Sequence, residues 1–255
     1  MKTLAILNQK GGCGKTTTAI NLAASLAVRG RRVLLCDLDP QGHASLGLSR
    51  GKNPDYPRTL SDALLDGGAL DGCLVKVSEG FDLAPSNPSL HLAEQRLHDL
   101  AGGEKRLKEV LDWATGEYDF CILDCPPGGG VLIANALHAA DEVVLAVETS
   151  FYSLYGVSQL LQAIKQLSQE KEVRVRALAT LYDRRTGFAR EILQDLSRFF
   201  GDSLFNTVIH LNVKLREAAS YGVPITEYDP KARGCQDYLA LADEVLGEAA
   251  PKTPS

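Results

Sequence analysis

The chain has 255 residues, of which 45% are hydrophobic and 23% charged, proportions of an ordinary globular protein with a real core. Lys and Arg number 27 against 32 Asp and Glu, so contact with nucleic acid requires a local basic patch and not the field of the whole molecule. The opening MKTLAILNQ lacks the order of a secretory signal, no apolar run approaches the roughly 18 residues of a membrane span, and the six cysteines form no CxxC pair, so a cytoplasmic protein without a zinc site is expected. Residues 3–7 form an apolar run fit for a buried parallel strand, followed by a glycine loop. A helix over 16–29 carries the stripe Ile20, Leu22, Ala23, Leu26 and Ala27, with Gly30 as its C-cap. Residues 33–36 form a second strand, ending in Asp37 and Asp39. The polar stretch 50–72 reads as a loop with one short helix, 60–65.

Further along, strands are expected at 81–84, 120–123, 142–147, 173–181 and near 208–209. Helices are expected at 90–101, 105–114, 131–139, 154–169, 188–200, 213–220 and 235–249. No internal repeat is visible. This alternation predicts an α/β fold, a doubly wound and mostly parallel sheet with helices on both faces, forming one domain over 1–249 with a flexible tail at 250–255.

Gly11-Gly12-Cys13-Gly14-Lys15-Thr16 lies between a strand and a helix. Glycines there let successive backbone N–H groups turn inward around a phosphate, and the helix N-terminus adds partial positive charge. Lys15 is placed to reach the β- and γ-phosphates, and the Thr16 hydroxyl to ligate Mg²⁺. An ordinary glycine turn is the bland alternative, but GGxGK[ST] between strand and helix is a far more specific signal. Asp124, closing the strand in FCILDCPP, is the candidate carboxylate behind the metal; taken alone it would read as a strand cap. Asp39, in LCDLDPQG, is the candidate for orienting a water toward the γ-phosphate, with Asp37 as its competitor. The guanine-reading pattern NKxD is absent, which favours ATP over GTP, and hydrolysis is the expected reaction. Lys10, ahead of the loop, is a second cation that a phosphate loop alone does not require.

KGGCGKTT with Lys10 resembles the deviant Walker A motif of the ParA/MinD superfamily. NQKGGCGKTTTAINLAASLA, VLLCDLDPQGHAS, YDFCILDCPPG, FYSLYGVSQLL, LYDRRTGFAREI and NVKLREAASYGVPITEYDPKARGCQDYLALADEV resemble ParA-type partition ATPases in order, from Asn8 to Val245. The resemblance implies an ATP-sandwiched homodimer in which Lys10 reaches into the partner's site, so that ATP holds the pair together. It implies that Gly11, Gly12, Cys13, Gly14, Lys15, Thr16 and Thr17 bind the nucleotide, with Thr17 at the α-phosphate. Asp39 would position the attacking water, Asp124 would support Mg²⁺, and Lys10, Lys15 and Asp39 would form the catalytic set. It further implies non-specific DNA binding by the ATP dimer and activation by a ParB-like or cargo-adaptor partner. Candidates for the DNA surface are Arg184, Arg185, Arg190, Lys214, Arg216, Lys231 and Arg233, each of which singly could be a solvated surface residue.

Three stretches depart from the pattern. Ile209-His210-Leu211-Asn212 stands where such proteins commonly read IPRN, Val147-Glu148-Thr149 replaces a proline-containing stretch, and Cys13 stands where valine is commoner. The chain has no helix-turn-helix ahead of its first strand, and QDYLALADEVLGEAA is acidic where a membrane-surface helix of the MinD kind needs Lys or Arg. Other readings are a MinD-like positioning ATPase without DNA binding, an enzyme phosphorylating a carboxylate, and a nitrogenase-iron-protein-like reductase or metal carrier. The last needs cysteines that hold a cluster between subunits, and only Cys125 lies near the right strand end.

Overall fold

The computed structural model describes residues 1–52, 54–66, 68, 70, 72–150, 153–167 and 173–247. It opens with β1 (Lys2–Leu7), α1 (Lys15–Val28), β2 (Val33–Asp37) and two short helices, α2 (His43–Gly47) and α3 (Leu60–Asp66). Next come β3 (Val75–Ser78), β4 (Phe81–Ala84), α4 (Leu90–Asp99), α5 (Arg106–Asp112), β5 (Phe120–Asp124), α6 (Val131–Ala139) and β6 (Glu142–Glu148). The chain continues through α7 (Ser153–Leu167), β7 (Arg174–Tyr182), α8 (Gly187–Phe200) and β8 (Leu204–His210). It closes with α9 (Val213–Tyr221), α10 (Ile225–Tyr228) and α11 (Arg233–Leu246).

The eight strands form one sheet in the order β3-β4-β2-β5-β1-β6-β7-β8. Every neighbouring pair is parallel except β3 and β4. Side chains alternate across a strand, so the apolar run of β1 divides between two cores. Ala5 and Leu7 face the layer that includes α3 to α8, while Leu4 and Ile6 face α1, α2 and α9 to α11. Burial on both faces is why the strands read as continuous apolar runs.

The expected α/β architecture is present, with boundaries moved by a residue or two. Three elements were not anticipated. The β3 strand follows the polar stretch 50–72 and carries no apolar run to mark it, because it is an edge strand whose residues alternate between half-buried and exposed. Helix α2 is held by a distant carboxylate, described below, and α10 is a single turn. The strand expected near 208–209 runs for seven residues. The predicted helix ends at Gln169 and Ala249 and the 250–255 tail lie outside the described residues, as do Phe151 and Tyr152.

Outer strand β8 is covered by α11, whose carboxylates take its backbone donors. Glu244 accepts from the amides of Asn206 and Thr207 at 2.8 and 2.9 Å, and Asp237 accepts from the His210 amide at 2.9 Å. At the opposite edge, β3 has four residues, a register shift between Lys76 and Ser78, and an exposed Lys76.

Candidate nucleotide site

The parallel strands β1, β2, β5, β6, β7 and β8 end on one edge, and the crevice outside such ends is where ligands bind in open α/β sheets. Residues 8–14 leave β1 there and turn into α1. Gly12 and Gly14 adopt φ of +75° and +90°, a left-handed backbone that lets the loop curl and that side chains disfavour. A Cβ added at Gly11 or Gly12 would meet no atom within 4 Å, so the inner face of the loop borders open space. That space is a cavity of about 570 Å³, within the range of nucleotide-sized sites.

Gly11, Gly12, Gly14, Lys15, Thr16, Thr17 and Asp39 all line the cavity. Cys13 does not: its side chain is buried, its thiol donates to the Lys10 carbonyl at 3.2 Å, and its own carbonyl accepts from the Thr180 hydroxyl at 2.7 Å. Burial pushes the Cys13 thiol up, which argues against a reactive thiolate in the loop. The Lys15 ammonium donates to the Lys10 carbonyl at 3.1 Å.

Behind the loop, Asp124 is fully buried and neither of its carboxylate oxygens has a hydrogen-bond partner. A buried carboxylate left in this state is costly without a cation or proton. Burial, with Asp37 adding to it, holds the Asp124 carboxyl well above the usual range, while the nearby Thr16 hydroxyl and Lys15 oppose the rise. Thr16 and Asp124 therefore fit Mg²⁺, a hard cation that takes oxygen ligands and keeps several waters.

The two acids after β2 behave differently. Asp37 is fully buried and satisfied: it accepts from the Ser45 amide at 2.8 Å, the Ser45 hydroxyl at 2.7 Å and the Asp39 amide at 3.1 Å. These bonds fasten α2 to the end of β2. Burial pushes the Asp37 carboxyl up to about 6 despite its donors. Asp39 lines the cavity, and among the bonds of the described residues its carboxylate accepts only the Gln41 amide, at 2.9 Å.

The far end of the cavity is apolar, lined by Leu181, Ile209, Leu211 and Leu215 together with Asn212 and Arg216. Arg216, a candidate for the DNA surface, lies along this slot. Leu215 and Ala219, four apart on α9, are the pattern that marked it. His210, in the departed stretch, donates its amide to Asp237, and its ring Nδ1 lies 3.0 Å from the same carboxylate.

Lys10 stands at the rim. Its ammonium pairs with Glu148 at the end of β6 and lies 3.1 Å from the Ser150 hydroxyl. Of the other basic candidates, Arg185 pairs with Asp183, Lys214 with Glu217 and Arg233 with Asp237. Arg184, Arg190, Arg216 and Lys231 are exposed and make no ion pair among the described residues.

The chain matches a family model for an AAA domain over residues 1–177. It also matches one for 4Fe-4S iron sulfur cluster binding proteins of the NifH/frxC family over 109–255. The sporulation initiation inhibitor protein Soj of Bacillus subtilis is 42% identical over 248 residues, covering 96% of this chain and 98% of that protein. The chain belongs to the ParA/Soj family of partitioning ATPases. The chromosome partitioning protein ParA of Myxococcus xanthus is 39% identical, covering 99% of this chain and 90% of its own. Among solved structures, cobyrinic acid a,c-diamide synthase from Mycobacterium smegmatis with bound ADP and magnesium has a TM-score of 0.82 at 34% identity, covering 100% of this chain and 98% of that chain. The septum site-determining protein MinD of Pyrococcus horikoshii with Mg-ADP has a TM-score of 0.79 at 25% identity, covering 100% and 99%. As a ParA/Soj-type ATPase the chain takes ATP as substrate and Mg²⁺ as cofactor. The NifH/frxC match brings no cysteine to the cavity: Cys125 is buried, with its thiol toward the Leu123 carbonyl. Among the described residues no helix is long and apolar enough to cross a membrane.

Proposed function

We propose that residues 1–249 act as one ATP-dependent dimerising switch, which binds non-specific DNA as the ATP dimer and segregates or positions DNA or another cargo in the cytoplasm. The observation that carries the reading is the second lysine at the rim of the phosphate cavity. Lys15 is buried and committed to its own loop, whereas the Lys10 side chain is 45% exposed and can reach outward. A second subunit facing the cavity would receive Lys10 at its triphosphate, making ATP part of the interface. ADP lacks the γ-phosphate, so hydrolysis would loosen the pair.

In this reading the amides of residues 11–17 cradle the phosphates and Lys15 neutralises their charge. Thr16 would hold Mg²⁺, with Asp124 supporting it from behind, and the ion would supply charge neutralisation to the phosphates. Asp39 orients the attacking water. The basic residues Arg184, Arg185, Arg190, Lys214, Arg216, Lys231 and Arg233 appear twice in a dimer, so weak phosphate contacts add. A ParB-like or adaptor partner would stimulate turnover.

The test is binding to random-sequence duplex DNA at low salt, comparing Mg-ATP with Mg-ADP in the Asp39→Ala variant. Binding with ATP alone is expected, and equal binding or none in the two states overturns the DNA part of the reading. A second reading, a P-loop enzyme activating a carboxylate, draws on the likeness to cobyrinic acid a,c-diamide synthase. It requires ATP turnover that depends on an acid substrate.

A further inference from the structure

The contact made by Lys10 reaches beyond the nucleotide cavity. The segment ahead of the phosphate loop is stapled to the end of β6 at two points and to Ser150 just beyond it. The Asn8 side-chain amide donates to the Ala146 carbonyl at 2.6 Å, and the Asn8 Oδ1 accepts from the Lys10 amide at 3.0 Å. The Lys10 ammonium then pairs with Glu148 and lies 3.1 Å from the Ser150 Oγ. Register explains the meeting: β6 lies beside β1, with Leu7 opposite Leu145, so the residues after β1 and those ending β6 run out of the sheet together. Glu148 belongs to one of the stretches that depart from the partition-ATPase pattern.

An ammonium has one unit of charge. It cannot pair fully with Glu148 of its own chain and also neutralise a phosphate of another. We infer that Glu148 is a positioning residue that holds Lys10 on its own subunit and thereby sets the ATP concentration at which the dimer forms. The inference rests on the proposed transfer of Lys10 to a partner. The Lys10 and Glu148 side chains are 45% and 27% exposed, so the contact is solvent-screened and breakable.

Breaking a pair of this kind changes an equilibrium by up to about fivefold. A dimer contains two lysines and two ATP molecules, so removing both contacts moves the ATP midpoint by the factor for one subunit. The experiment follows dimer fraction by sedimentation velocity against Mg-ATP concentration, in an Asp39→Ala background that preserves the nucleotide. Glu148→Gln should lower the midpoint about two- to fivefold, and Glu148→Asp, which keeps the charge, should stay nearer the parent. Binding of fluorescent Mg-ADP to the monomer should be the same in all three, a result that a general distortion of the site would not give. A parent that dimerises with a midpoint unchanged or raised by Glu148→Gln overturns the inference alone. A parent that never dimerises with ATP overturns the dimer switch beneath it, and the inference with it.

Discussion

Surroundings, and neither residue type nor charge, separate the three aspartates at the cavity. Asp37 is saturated by donors from α2, Asp124 is buried without partners, and Asp39 alone faces the cavity. A group that must meet a water cannot have its oxygens committed elsewhere, which favours Asp39 over Asp37 as the water-orienting residue. Asp39→Ala should cut phosphate release about 10²–10⁴-fold while leaving ATP binding intact. A stopped-phosphate assay beside equilibrium binding of labelled ATP checks both halves, and rapid turnover by the variant would move the role to another group. At this scale the course of the phosphate loop is legible, because glycine spacing, Lys15 and Thr16 act through local backbone geometry, whereas the burial of Cys13 away from the cavity is not. The Lys10–Glu148 pair was not, because its members are 138 positions apart and meet only through the register of β1 and β6.

Among the elements, α9 and α11 decide the width of the apolar end of the cavity. Gly234 lets them approach: a Cβ there would stand 2.8 Å from the Leu215 Cγ, and Leu215 lines the cavity. Gly234→Ala should therefore push Leu215 into the slot, weakening nucleotide binding several-fold at an overpacking cost of about 1–3 kcal/mol. Calorimetric titration with Mg-ADP measures the first effect and urea denaturation the second; unaltered affinity would show that Leu215 swings away from the slot. Long buried strands and amphipathic helices declared themselves in the sequence through composition and period. Helix α2 did not, since five residues carry too little pattern, and it depends on Ser45 finding Asp37 eight positions earlier. Strand β3 was hidden for the opposite reason: at an edge, water replaces the second layer, and the residues facing it look like loop.

For the whole molecule, the acids behind the phosphate loop make stability depend on pH and on metal. Folding raises the carboxyls of Asp37 and Asp124 above their unfolded range of about 4. The native state then binds protons that the unfolded chain has released, so their contribution is present in acid and lost as pH rises through about 6, the Asp37 value. Subtracting the unfolding free energy of Asp124→Asn from that of the parent, in the absence of Mg²⁺, should give a difference that falls with rising pH. Mg-ATP should flatten it by giving the carboxylate a cation; a difference independent of pH would mean that Asp124 is relieved in some other way. A separate consequence follows from how the sheet ends. An open β-edge is a template on which any extended chain can add a rung, and proteins that gather at high local density are most exposed to that hazard. Here one margin spends its outward amides on Glu244 and Asp237, and the other is short, kinked and lysine-bearing. Copies of this chain crowded together would find, among the described residues, little open ladder at either margin to zip onto, leaving reversible contact through other surfaces as the way to associate.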